Sequence, residues 1–401
     1  MRLHNVCLCL RKQWLHSKTA ASNRTKCIRK EDDIHAAEYY FENGLRKVKP
    51  YDFHFRAYAK ERMLGSTVLQ IFLKEYRGRS ERYYRYAIEK GLITVNQQKT
   101  TPDTIIKQQD LISHLVHRHE PPVTDQPIEI IHEDDRLFVI NKPGSIQVHP
   151  SGRYRHNTAL HIMRKELNYD RLFPSNRLDR ITSGIMLICK TSKYADTLGL
   201  QMRSRDVEKE YICRVSGEFP RGHVISQEPI KTLSHTVSFN YVHPQGKLCT
   251  TLFERISYNG RTSLVLCKPL SGRTHQIRVH LRYLGYPIAN DPIYGYSTAW
   301  SDRLLPSIAA FENPLDLSSV LNIMTETAPY DYMDDDPSNT TLPRCVQCNV
   351  PLTDVDPKPA QLALWLHAFK YSGNGWCYTS KLPPWASESF IEDPVIIPAS
   401  F

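Results

Sequence analysis

Asn176-Arg177-Leu178-Asp179-Arg180-Ile181-Thr182-Ser183-Gly184, running into Ile185-Met186-Leu187-Ile188-Cys189, sets a carboxylate between two arginines just ahead of an unbroken apolar run. A short apolar run bounded by turn residues reads as a buried strand. The Thr-Ser-Gly turn then places Asp179 at the mouth of a sheet rather than on a solvated helix face. Flanking guanidinium groups keep such a carboxylate ionised and hold its position. The same residues also fit an Arg–Asp lattice with a purely structural role, because structural ion pairs perturb carboxylates too. The rest of the chain has to separate the two readings.

With 401 residues the chain is long enough for about two domains. A net charge of +10 favours a polyanionic partner, nucleic acid first and an anionic membrane second. There is no run of 18 apolar residues, so no membrane span is expected. The ten cysteines are scattered, which suggests free thiols in a reducing compartment rather than a disulfide framework.

Residues 1–30 carry eight Lys/Arg and no Asp or Glu, the composition of an organelle transit peptide or of a disordered basic arm. Cytoplasm, mitochondrion and nucleus all stay open, the acid-free N-terminus being what brings in the mitochondrion. Residues 31–66 mix tyrosines with charge and read as an extension packing on the body. In 67–119, Val68, Leu69, Phe72 and Leu73 have helical spacing. A second amphipathic stretch ends at Gly91, and Leu92–Gln98 reads as a strand into a turn. Two helices and a short β element with basic residues along them resemble the S4-type RNA-binding module.

His117-Arg118-His119 precedes a Pro-Pro turn. As half of a metal site it lacks a second ligand pair. From 127 strands alternate with turns, and the second strand runs into Asn141-Lys142-Pro143-Gly144. A long basic loop follows, through His149 to His156, of a kind that carries function more often than packing. Asn157 is placed to cap a helix over 158–167, and Ser192 one that reaches about Arg205. In Glu208–Gly217 strand alternation puts Tyr211, Cys213 and Val215 on one face.

Gly272-Arg273-Thr274-His275-Gln276-Ile277-Arg278-Val279-His280 begins as a turn and becomes helical. Arg273 sits in that turn, well placed to reach a sheet-mouth carboxylate. Arg278 and Arg282 fall one helical turn apart. Residues 298–345 shift to Pro, Ser, Thr and Asp and read as an irregular insertion, and 346–401 as a segment completing the main domain. Cys345-x-x-Cys348 is half a zinc site. His367 and Cys377 are the residues at hand to complete it, in an order that fits no zinc finger, so no metal is expected.

Taken together, Arg177-Leu178-Asp179-Arg180-x-Thr182-Ser183-Gly184, the Asn141-Lys142-Pro143 loop, Lys209-x-Tyr211 and Gly272–His280 resemble the ordered motifs of RluA-type RNA pseudouridine synthases. The likeness covers roughly residues 68–297. The flanks Tyr39–Pro50, His117–Val123, Val148–Thr158 and Leu364–Ala368 resemble its eukaryotic branch, which includes synthases acting at position 32 of tRNA. The resemblance implies an α+β fold, with a mixed, largely antiparallel sheet flanked by helices at 127–297 and the small S4-like α/β module ahead of it. It implies uridine isomerisation in RNA, most of all tRNA, with no cofactor, no metal, no membrane and no obligate protein partner.

On the matching positions, Asp179 is the catalytic nucleophile and Arg273, ahead of Arg278, its partner. Tyr211 stacks on the uracil and helps late proton removal. Arg177 enters the space left by the flipped nucleotide. Lys142, His149 and Arg278 are RNA-side residues near the cleft. The family's pattern often has His where this chain has Asn176, so RNA handling is where a departure is expected.

Two other classes compete. A non-catalytic RNA-binding protein could keep the fold, but the Asp179, Tyr211 and Arg273 set speaks against it. A zinc nucleobase deaminase needs H-x-E with P-C-x-x-C, and Cys345 follows Arg344 with no H-x-E in the chain.

Overall fold

A computed structural model describes residues 36–76, 79–234, 239–295, 343–348, 352 and 356–391. The basic stretch 1–30 and most of 298–345 lie outside the described residues.

In chain order the strands are β1 (Tyr39–Glu42), β2 (Leu45–Val48), β3 (Tyr51–Tyr58), β4 (Ile93–Val95), β5 (Gln98–Lys99), β6 (Leu111–Arg118), β7 (Val123–Thr124), β8 (Glu129–Glu133), β9 (Leu137–Lys142), β10 (Phe173–Pro174), β11 (Ser183–Cys189), β12 (Glu208–Ser216), β13 (His223–Ser226), β14 (Ile230–Ser234), β15 (Phe239–Val242), β16 (Thr251–Tyr258), β17 (Thr262–Pro269), β18 (Leu366–Gly373) and β19 (Trp376–Thr379). The helices are α1 (Val68–Glu75), α2 (Glu81–Glu89), α3 (Ala159–Leu167), α4 (Ser192–Ser204) and α5 (Gln276–Tyr283).

Ten strands make the central sheet, ordered β13-β16-β17-β12-β18-β11-β9-β8, with β10 on β11 and β19 on β18. The β11–β18 contact is parallel, with Ser183 opposite His367 and Gly184 opposite Ala368. The other pairings in this sheet are antiparallel. The fold is thus α+β with a mixed, largely antiparallel sheet. A strand contributed from the far end of the chain occupies its middle.

Gly184 makes that insertion sterically feasible. Its φ is 111°, and a Cβ there would stand 2.3 Å from the carbonyl oxygen of Ala368. A residue with a side chain would push β18 away from β11.

Two apolar clusters lie side by side on this sheet. One holds Ile212, Val215, Phe253 and Val265 with Ile277 and Leu281 of α5 and Trp365. The other holds Phe138, Val139, Ile185 and Leu187 with Met163 of α3 and Leu198 of α4. The continuous apolar run 185–189 is explained by its burial on both faces.

Strand β3 pairs with β6 over its whole length, in a four-stranded sheet ordered β3-β6-β4-β5. The two helices α1 and α2 cover that sheet through Ile71, Phe72, Tyr84 and Ile88 against Ile93 and Ile112. The small unit therefore begins near residue 51, earlier than the 67 expected, although Tyr51, Phe53, Phe55 and Ala57 alternate with Asp52, His54 and Arg56 as in a strand. Residues 39–48 instead form a sheet with β7. They are tied to the body by Tyr39, whose hydroxyl donates to His156 O at 2.7 Å, and by an Arg46–Glu166 pair at 2.9 Å.

Helix starts differ from expectation by one residue. Thr158 is the N-cap of α3, because Asn157 is buried and donates its amide to Pro121 O. Thr191 caps α4, its hydroxyl accepting from Tyr194 N.

Candidate active site

Asp179 lies on the turn between β10 and β11, at the seam of the two apolar clusters. Leu178 inserts into one cluster and Ile181 into the other. Each buried aliphatic side chain of this kind contributes about 1.5–3 kcal/mol, so the turn is nailed down on both sides of the carboxylate. Its backbone is equally fixed. Asp179 O accepts from Thr182 N at 3.2 Å, Arg180 O from Lys142 Nζ at 3.2 Å and Ile181 O from Leu364 N at 2.9 Å.

The guanidinium facing Asp179 is that of Arg278, with Nη1 at 3.4 Å from Asp179 Oδ2. His275 Nε2 stands 3.6 Å from the same oxygen. Asp179 Oδ1 makes no hydrogen bond among the described residues, and the side chain keeps 28% of its surface exposed. The carboxylate therefore has one oxygen hydrogen-bonded to Arg278 and one that is not, on a side chain that is only partly covered. Burial alone would raise its pKa. His275, Arg278 and Arg177 outweigh that and hold it below the usual carboxylate value. Burial and Arg278 push His275 itself down to about 4. At neutral pH the imidazole is uncharged, and the cations facing Asp179 there are Arg278 and Arg177.

Arg278 is locked from behind. Asp291 takes its Nε at 2.6 Å and its Nη2 at 2.8 Å, a bidentate pair with both side chains buried. Asp291 Oδ1 also accepts from the backbone N–H groups of Ile293 and Tyr294. The Tyr294 ring lies 4.9 Å from the Arg278 guanidinium carbon, and its hydroxyl is 3.0 Å from His275 Nδ1. His275 caps α5 at φ 56°, a left-handed conformation unusual for a side-chain-bearing residue and of the kind that collects at functional sites.

The expectation that Arg273 pairs with Asp179 is corrected by this geometry. Arg273 is exposed and donates to Leu248 O at 3.3 Å. Gln276 is responsible: its Oε1 accepts from Ser271 Oγ and from Arg273 N, while its Nε2 donates to Thr250 O and Thr251 Oγ1. That clamps the turn with the Arg273 side chain outward. Arg278, expected on the RNA side, is buried because Asp291 neutralises it.

Lys142 is a second correction. It too was expected near RNA, yet it is fully buried and spends its ammonium on three carbonyls, Pro143 O at 2.8 Å, Ile146 O at 2.9 Å and Arg180 O at 3.2 Å. It clips the 142–146 loop to the Asp179 turn. Burial pushes its pKa down to about 7, against the pull of Asp179. His149 is half-buried, its pKa lowered by burial and by nearby Arg177, which is exposed at the rim.

Tyr211 packs against both apolar clusters, and its hydroxyl is 2.7 Å from that of Tyr371 on β18. Burial pushes Tyr211 up to about 12, so it is a neutral phenol at pH 7. Asn176 Nδ2 donates to Tyr371 Oη at 3.3 Å. The chain's departure at 176 is thus joined to the tyrosine pair. Sequence reading passed over Asp291, Tyr294 and Tyr371. Asp291-Pro292 carries the signature of an Asp that caps its own turn, whereas nothing local distinguishes Tyr371 from a core tyrosine.

An ionised carboxylate with one free oxygen, a locked guanidinium and a buried tyrosine, opening beside an exposed arginine, is equipped for nucleophilic attack on a base or sugar brought out of an RNA stack. Residues 136–283 match the model of the RNA pseudouridylate synthase family. Pseudouridylate synthase RPUSD2 of Mus musculus is 40% identical over 90% of this chain and 75% of its own length. The mitochondrial tRNA pseudouridine(32) synthase of Saccharomyces cerevisiae is 39% identical over 94% of this chain and 84% of its own. The tRNA pseudouridine(31) synthase of the same yeast is 33% identical over 88% and 98%.

The chain belongs to the RluA-type RNA pseudouridine synthases. It is an isomerase that converts uridine in RNA to pseudouridine. Asp179, Tyr211, His275 and Arg278 all fall inside the matched region 136–283 of the synthase, whereas Tyr371 and the strand that carries it lie outside it.

Proposed function

We propose that the synthase modifies tRNA, with the uridine at position 32 as first choice, and that Asp179 is its nucleophile. The observation that carries this reading is the asymmetry of Asp179: one oxygen is hydrogen-bonded to Arg278, and the other makes no hydrogen bond among the described residues. The free oxygen attacks the target nucleoside at the ribose or the base. The glycosidic C–N bond breaks, the uracil rotates, a C–C bond forms at C5 and the bond to Asp179 breaks, with the C5 proton lost and one taken up at N1. Tyr211 stacks on the uracil. Arg177, exposed at the rim, fills the space the flipped nucleotide leaves. Arg273, facing outward, takes an RNA phosphate.

The choice of tRNA rests on the names of the yeast relatives. The mitochondrion is the favoured compartment, from the acid-free N-terminal composition and from a yeast relative named as mitochondrial. The small unit of α1, α2 and their sheet docks on structured RNA as an S4-like module would.

The test is release of tritium from 5-tritiated uridine in tRNA, with pseudouridine mapping of the RNA pool. Wild type should release tritium and modify position 32. Asp179→Asn should bind tRNA and release none. Full turnover by that variant would sink the nucleophile reading, and binding without turnover by wild type would favour a non-catalytic RNA-binding role.

A further inference from the structure

We propose that His117, His119, Cys345 and Cys348 bind one structural zinc ion that staples the small N-terminal unit to the chain leading into β18. The ligand atoms of these four residues all lie within 4.8 Å of one another. Sequence reading left two half-sites, each without a partner, because the pairs are more than two hundred residues apart. The expected completion by His367 and Cys377 does not occur. Both ring nitrogens of His367 are engaged, with Ser183 Oγ at 2.8 Å and Ser380 Oγ at 2.7 Å, and Cys377 is exposed on β19. The fold brings the two halves to each other instead.

The geometry suits tetrahedral zinc. With bonds of about 2.0–2.3 Å, donor atoms of such a site stand roughly 3.3–3.8 Å apart. Cys348 Sγ and His119 Nε2 are 3.3 Å apart. The strand period of two puts His117, near the end of β6, and His119, just beyond it, on one side of the chain. Two thiolates and two imidazoles match zinc's borderline softness, and the two thiolate charges cancel that of the ion.

The surroundings are those of a built site. His117 Nδ1 lies 2.7 Å from Asp52 Oδ1, so the ring's second nitrogen is oriented by a carboxylate, as metal-bound histidines generally are. The ion would take no part in isomerisation. It would close a chain loop spanning 229 residues and fix the end of the segment that delivers β18, with Tyr371, to the active site.

The full-length chain, purified without chelator from zinc-supplemented cells, tests this by elemental analysis. One zinc per chain is expected in wild type and equally in Asp179→Asn, with loss of the metal in the Cys345→Ser/Cys348→Ser double variant. Exchange of wild type with cobalt should give the visible bands of a tetrahedral site and a thiolate-to-cobalt charge-transfer band. That reads the ligand set without relying on any variant's folding. His119→Cys should keep the metal and strengthen that band. The proposal is overturned by zinc at background level in wild type, by full zinc in the double variant, by cobalt spectra without thiolate character, or by a Cys345–Cys348 disulfide in the fresh protein.

Discussion

Replacing Arg278 with lysine, beside the same change at Arg273, separates the arginine that faces Asp179 from the one that faces solvent. The Arg278 guanidinium serves two carboxylates at once, Asp291 through Nε and Nη2 and Asp179 through Nη1. A lysine ammonium is a single point donor and cannot span both. Asp291, fully buried, will claim it. The contact to Asp179 is then lost, and hydrogen bonds to charged groups are worth about 1.5–3 kcal/mol. Put into turnover at about 1.4 kcal/mol per factor of ten, that is a fall of roughly 10- to 150-fold.

The sign of the pH effect follows from the same contact. Arg278 helps hold Asp179 below the usual carboxylate value against burial. Weakening it raises that pKa, so the acid limb of kcat/KM moves to higher pH. The stability that ionised Asp179 contributes above its unfolded value is then lost earlier as pH falls. Arg273→Lys keeps a cation for the RNA phosphate, gives up only the exposed contact to Leu248 O and should stay within about fivefold of wild type, since exposed polar contacts contribute about 1 kcal/mol or less. Single-turnover tritium release across pH measures both variants, with thermal unfolding to show that they are folded. Equal losses in the two variants, or a larger loss in Arg273→Lys, would refute the assignment of Arg278 as the Asp179 partner.

Lys142→Met should leave Pro143, Ile146 and Arg180 carbonyls without their common donor and lower stability by about 2–4 kcal/mol, read by urea unfolding. Turnover should fall as well, because Arg180 neighbours the nucleophile. Gly184→Ala places a Cβ against the Ala368 backbone and should cost more than about 3 kcal/mol, through both the clash and φ 111°; a variant with wild-type melting would show that β11 and β18 do not approach as described. Tyr211→Phe keeps the ring and removes the hydroxyl paired with Tyr371. RNA binding should persist, and because burial keeps the phenol protonated at pH 7, turnover should fall by no more than the loss of one hydrogen bond, about tenfold. Turnover equal to wild type would leave stacking as its whole contribution.

The sequence by itself determined the parts whose signals are local. The apolar run 185–189, the turn before it and the strand alternation around Tyr211 placed a carboxylate at a sheet mouth and a tyrosine on one face of a later strand. The ordered motifs then supplied the chemistry. Tertiary structure decided which charges face inward. Arg273 and Arg278 are both arginines near the start of one helix, and only Asp291, placed by the turn that follows, makes it favourable to bury one of them. Lys142 reads as a loop cation until three carbonyls close around it. His117-x-His119 and Cys345-x-x-Cys348 are unremarkable fragments until the fold sets them side by side. Burial of a charge, and completion of a ligand set, depend on partners that are distant in the chain. Turn chemistry and hydrophobic period act over a few residues, and for that reason they were legible without the fold.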